Sequence, residues 1–97
     1  MVPASCEPGA AGSPAVRVVV LSSSLHARPA ARVARAATRL RATVTLTTGD
    51  RHADARSVLA VMSLGATAHD EVRVEATGPD AATAAEEIAR LLTAPDA

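Results

Sequence analysis

The chain has 97 residues, a formal net charge of zero, one cysteine and no Phe, Tyr or Trp. That length suits a single domain with a modest core. The composition excludes a disulfide framework within the chain, an aromatic platform for single-stranded nucleic acid, and any stretch of membrane-spanning length.

Half of the apolar residues are alanine, so core volume must come from Val, Leu, Ile88 and Met62. Small side chains let elements approach closely, which favours a two-layer domain without a deep ligand cavity. Charge is segregated. No acid lies between Glu7 and Asp50, a span that holds Arg17, Arg28, Arg32, Arg35, Arg39 and Arg41, and the acids concentrate from Asp50 onward. A neutral chain with one basic face suits an acidic protein partner better than a nucleic-acid duplex.

Residues 1–14 are rich in Pro, Gly, Ala and Ser without periodicity, and are expected to be a disordered tail. Cys6 falls within it, with no histidine at metal-ligand spacing, and is read as an incidental thiol. The start has no basic region followed by an apolar one, so no secretory leader is expected and the default location is the cytoplasm. The folded domain is expected over 15–97. Val16 to Leu21 reads as a strand by β-branching and length, and Ser22-Ser23-Ser24 ends it.

A helix is expected to start just after His26, with Pro29 in its first turn, where no N–H is needed. At about 100° per residue, Ala30, Val33, Ala34, Ala37 and Leu40 share one face. Arg28, Arg32, Arg35 and Arg39 form a stripe opposite. No acid lies at helical spacing to pair with them, so they gain nothing from intrahelical ion pairs. The stripe reads equally as a solvated face or as a docking surface.

Ala42 to Thr47 alternates, with Ala42, Val44 and Leu46 inward, and Thr48-Gly49-Asp50 signals a turn. A short return strand is expected over Arg51 to Asp54. Val58 to Leu64 reads as a short helix with Ser57 as N-cap and Gly65 as its stop, in competition with an apolar strand of the same length. Glu71 to Thr77 alternates again, with Val72, Val74 and Ala76 inward. After Gly78-Pro79, Asp80 is expected to cap a final helix whose buried face is Ala81, Ala84, Ala85, Ile88 and Leu92, ended by Pro95. The order is β-α-β-β-α-β-α. Strict alternation in two strands calls for a four-stranded, largely antiparallel sheet with one face in water and helices on the other: a two-layer open-faced α/β sandwich.

The informative stretch is Ser22 to Ala31. A helix start carries backbone N–H groups outside the helix ladder and the positive end of the dipole, which favours an anion. A histidine there is placed to receive a phosphoryl group, and an arginine two residues on is placed to hold it. His52 and His69 have no such context and no metal-pair spacing, so no metal site is expected.

Leu25-His26-Ala27-Arg28-Pro29-Ala30 resembles the signature of the HPr family, the histidine-containing phosphocarriers of the bacterial phosphoenolpyruvate-dependent sugar phosphotransferase system. Arg56 to Gly65 is similar to that family's second signature. The likeness extends over about residues 15–94, with a matching interval between the motifs. It implies that His26 accepts the phosphoryl group on Nδ1 from enzyme I and passes it to the IIA component of a sugar transporter, and that Arg28 assists. On that reading the chain is a carrier rather than an enzyme, needs no cofactor, meets its partners transiently and acts as a monomer. The backbone N–H groups of Ala27 and Arg28 would hold the phosphate oxygens. Arg32, Arg35, Val58, Leu59 and Met62 would dock partners, and Ser57 matches a regulatory phosphoserine of part of the family, although a plain N-cap explains it as well. Two departures stand out: Ser24 where glycine usually precedes the Leu-His pair, and Ala60 where glycine is common. An alternative role is that of a paralogue reporting phosphorylation state to a regulator without carrying sugar flux.

Overall fold

The computed structural model describes residues 14–94. Cys6, Pro95 and all but the last residue of the expected tail lie outside them. The elements are β1 (Ala15–Val20), α1 (Ala27–Arg39), β2 (Thr43–Thr48), β3 (Arg51–Asp54), α2 (Val58–Ser63), β4 (Glu71–Thr77) and α3 (Ala81–Thr93). The order is the expected one. The strands form one sheet in the order β1-β4-β2-β3, and every pairing is antiparallel.

Register follows from the alternation. Val44 stands opposite Ala76, and Leu46 opposite both Val74 and Ala53. Val44, Leu46, Val72, Val74 and Ala76 are fully buried beneath the helices. Slipping any of these strands by one residue would turn its whole apolar set into water. The helices bring small residues to the same layer. Ala30, Val33, Ala36 and Ala37 come from α1, and Ala81, Ala84, Ala85, Ile88 and Leu92 from α3. Helix α1 packs on both α2 and α3, and α3 lies over β1 and β4. Alanine permits this close approach and also explains the thin core.

Two expectations need correction. The first strand ends at Val20, and Leu21 drops out of it to become one of the most buried side chains, anchoring the loop that follows. Val16, Val18 and Val20 stand opposite Glu75, Arg73 and Glu71 and share their solvent face. A run of valines without alternation carries no signal for which half faces inward. Asp80 is the N-cap of α3 by position, but its side chain makes no capping bond. Its carboxylate accepts from the Arg41 N–H at 2.8 Å, while its own N–H donates to the Arg41 carbonyl at 3.0 Å. This two-way clasp ties the end of α1 to the start of α3. Within it, Gly78 has φ +114°, and a Cβ there would sit 3.0 Å from the Arg41 carbonyl oxygen and 3.1 Å from Ala42 Cα.

Candidate phosphoryl-accepting site

The residues that matter follow β1. Helix α1 begins at Ala27 with His26 as N-cap in extended backbone (φ −86°, ψ −167°), and the imidazole makes no capping bond to the helix. The first bond of the helix runs from the Ala30 N–H to the His26 carbonyl at 3.0 Å. Pro29 stands third in the helix and brings no N–H, so the donors of this helix end belong to Ala27 and Arg28. No acid sits in the first turn to compete for an anion. His26, Ala27 and Arg28 are all exposed.

Sequence reasoning missed what holds this end in place. Leu25, directly before His26, is buried, and its N–H donates to the Ala66 carbonyl at 3.0 Å. Leu21 donates to the Asp70 carbonyl and accepts from the His69 N–H, each at 2.9 Å. The loop 66–70 therefore braces both ends of the loop 21–25. It is itself pinned by Asp70, whose carboxylate accepts from the Thr67 N–H at 2.8 Å and from Thr67 Oγ1 at 3.3 Å. His69 adopts φ +76°, the positive-φ non-glycine among the described residues. Thr67 and Asp70 stand three apart, a spacing that suits such a side-chain-to-backbone turn. On the other side, Ser22 Oγ donates to the Ala94 carbonyl at 2.7 Å, tying the loop to the end of α3. Ser24 keeps a negative φ, so its side chain brings no left-handed strain to the approach to His26.

Helix α2 is a helix and not the competing strand. Ser57 caps it, its Oγ accepting from the Ala60 N–H at 3.1 Å, and Gly65 follows its end, donating to the Met62 carbonyl at 3.1 Å. Ala66, one residue on, is the partner of Leu25, so the second sequence motif leads directly to the residue before His26. Val61 is fully buried and holds α2 down. Leu59 is 77% exposed and Met62 38%, whereas Val58 is half-buried against the core. Of the three apolar docking candidates, Leu59 and Met62 thus face outward, and Val58 is largely claimed by packing. Just before the cap, Arg56 donates to Asp54 through its backbone N–H at 2.9 Å and its side chain at 3.0 Å. The Arg56 guanidinium and amide hold the Asp54 carboxyl below the ordinary carboxylate range.

Part of the arginine stripe lies against α3. Arg32, Arg35 and Arg39 line a shallow groove of about 290 Å³ shared with Glu87 and Leu91 of α3, on the flank of α1 toward α3. The docking candidates therefore fall into an apolar set on α2 and a basic set between α1 and α3, with His26 at the N-terminal end of α1. Among the described residues no helix is long and apolar enough to cross a membrane.

Comparison with known proteins gives a consistent picture. Residues 16–94 match the PTS-HPr family model, described as the PTS HPr component phosphorylation site. The phosphocarrier protein HPr of Bacillus anthracis str. Ames has a similar structure (TM-score 0.77, 26% identity), covering 84% of this chain and 99% of its own. The catabolite repression containing protein Crh of Bacillus subtilis, whose crystal structure is a swapped, intertwined dimer, is similar at TM-score 0.67 and 29% identity, covering 95% of this chain and 93% of its own. A multiphosphoryl transfer protein of Xanthomonas campestris is 41% identical over 63 residues, 65% of this chain; the match spans only 8% of that much longer protein.

Proposed function

The chain belongs to the HPr family of the phosphotransferase system, and from that premise we propose that His26 is the phosphoryl acceptor and Arg28 its clamp. The observation that carries the reading is an exposed histidine at the N-cap of α1, beside the first backbone donors of the helix, with an exposed Arg28 two residues on.

Enzyme I, charged by phosphoenolpyruvate, is the donor on this reading, and IIA components of sugar transporters are the acceptors, all meeting the chain transiently in the cytoplasm. The neutral imidazole attacks phosphorus through Nδ1. The donor–phosphorus bond breaks as the N–P bond forms, and its electron pair leaves with the donor. Transfer onward reverses the roles. Such transfer needs alignment and charge stabilisation above all. The Ala27 and Arg28 amides and the Arg28 guanidinium supply the stabilisation, and Pro29 and the brace from 66–70 supply the alignment. Leu59, Met62, Arg32 and Arg35 hold the partner. Ser57 is a candidate regulatory phosphosite, where phosphorylation would esterify the capping hydroxyl oxygen and set about two negative charges beside the apolar patch.

The test is incubation with phosphoenolpyruvate and enzyme I, followed by intact mass. One acid-labile, base-stable phosphate is expected. Absence of label, or label that survives His26→Ala, refutes the reading. A second reading keeps the site and drops the sugar flux, making the chain a reporter of phosphorylation state. The likeness to Crh, described as a catabolite repression protein, motivates it. Restored sugar uptake in a strain lacking its own carrier excludes that second reading, and phosphorylation without restored uptake supports it.

A further inference from the structure

The solvent face of the sheet carries a pattern that the phosphoryl site does not use. On edge strand β1, Val16, Val18 and Val20 are 40%, 57% and 53% exposed. Next to them on β4 run Glu75, Arg73 and Glu71, one opposite each valine. An apolar row thus lies against a charged row whose sign alternates at the two-residue repeat of the strand. Arg73 and Glu75 already pair within the strand at 3.2 Å. Beyond β4, the register puts Thr45 opposite Glu75 and Thr47 opposite Arg73 on the same face. Solvated sheet faces usually carry polar residues throughout, so three neighbouring valines call for a cover.

We propose that this face pairs with the same face of a second copy, in a weak two-fold homodimer. The pattern complements itself. Two β4 rows laid antiparallel about an axis between positions 73 and 75 set Arg73 of each copy against Glu75 of the other. The same axis sets Val16 of each against Val18 of the other. Both contacts occur twice, as a closed two-fold interface requires. A parallel arrangement in register would oppose like charges and is disfavoured. Strands spaced ~4.8 Å apart and about six residues long give a four-stranded face of about 400 Å² per copy, roughly half of what each partner buries in a standard stable interface. The dimer is therefore weak, with a dissociation constant on the order of 0.1 to 1 mM. It leaves the helix layer and His26 uncovered, so it does not depend on the proposed phosphoryl chemistry.

Sedimentation equilibrium of the full chain from about 10 μM to about 1 mM tests the proposal. A reversible, rapidly exchanging dimer is expected, weakened by added sodium chloride because exposed ion pairs are screened. Arg73→Glu alone and Glu75→Arg alone each place like charges together and should weaken it about tenfold or more. Mixed one to one, the two variants oppose a carboxylate to a guanidinium at both of the charged contacts, and the heterodimer should recover wild-type affinity. Val18→Glu should abolish association. Far-UV circular dichroism and urea midpoints close to wild type confirm that each variant is folded. A single monomer mass up to millimolar concentration overturns the proposal. So does a dimer that resists all three substitutions, or one that exchanges over hours as a swapped element would.

Discussion

Replacing Gly78 with alanine tests the packing between α1, β2 and α3 most directly. Its φ of +114° lies beyond the left-handed helical well, and the added methyl carbon would meet the Arg41 carbonyl oxygen at 3.0 Å and Ala42 Cα at 3.1 Å. Both neighbours are backbone, and Arg41 is held from both sides by the Asp80 clasp, so neither can swing away. Backbone strain of about 1–3 kcal/mol adds to overpacking of about 1–3 kcal/mol. A domain of this size has roughly 5–12 kcal/mol in all, so a combined cost of about 2–6 kcal/mol removes at least about a sixth of it. At about 4–8 °C per kcal/mol, the melting temperature should fall by roughly 8 °C at the least and by more than about 40 °C at the upper end. Gly49 is the control. Its φ is +59°, and a Cβ would meet nothing within 4 Å. Only the left-handed penalty of about 1 kcal/mol applies there, a shift of roughly 4–8 °C. With no aromatic residue in the chain, the readout is far-UV circular dichroism under heat and urea. Equal losses for Gly78→Ala and Gly49→Ala would refute the reasoning, because only the contacts with Arg41 and Ala42 and the more extreme φ separate the two sites.

Other outcomes follow from the site. Ser57→Ala should cost about 1 kcal/mol by removing the cap on Ala60, and Ser57→Asp, which keeps an acceptor there, should stay within about 0.5 kcal/mol of wild type in urea melts. Asp54 titrates low in the folded state because Arg56 binds its charged form. Its contribution is therefore complete above the ordinary carboxylate range, near pH 4, and fades as pH falls through the lowered folded value. Arg56→Ala removes the cause, so its stability deficit should be measurable at pH 7 and shrink progressively below about pH 4. Leu59→Asp should leave stability within about 0.5 kcal/mol of wild type, because the side chain is exposed. It should raise the KM of enzyme I for this chain by about tenfold with little change in kcat, the mark of lost docking rather than lost chemistry.

The element order was legible because two strands alternate strictly and two helices carry unbroken apolar stripes. Ser57 and Gly65 mark the ends of α2 through chemistry local to the backbone, and local chemistry is visible in sequence. What stayed hidden depends on partners far along the chain. Asp80 has the right type and place for a side-chain cap, but the Arg41 amide across the loop claims its carboxylate. The valine run of β1 gives no period, so its face is set by β4 beside it and α3 above it. At the site, His26 and Arg28 could be picked out from residue type and position. The brace from 66–70 could not, because its bonds run from backbone groups whose positions only the fold determines. The arginine stripe was visible as a helical face, but its seat against α3 was not.

The sheet order also sets a timetable for folding. Strand β1 leads the described chain, yet its neighbour in the sheet is β4, with Val20 opposite Glu71 as the pair nearest in sequence. The first strand has no partner until about fifty further residues exist, and at about 5–20 residues per second translation takes roughly 3–10 s to supply them. Throughout that interval the β1 valines have no sheet to join. The helix–hairpin–helix segment between them has time to assemble first, and β1 closes the sheet last, after the longest loop closure in the fold. A nascent chain held before residue 71 should therefore be the form most exposed to chaperones and proteases.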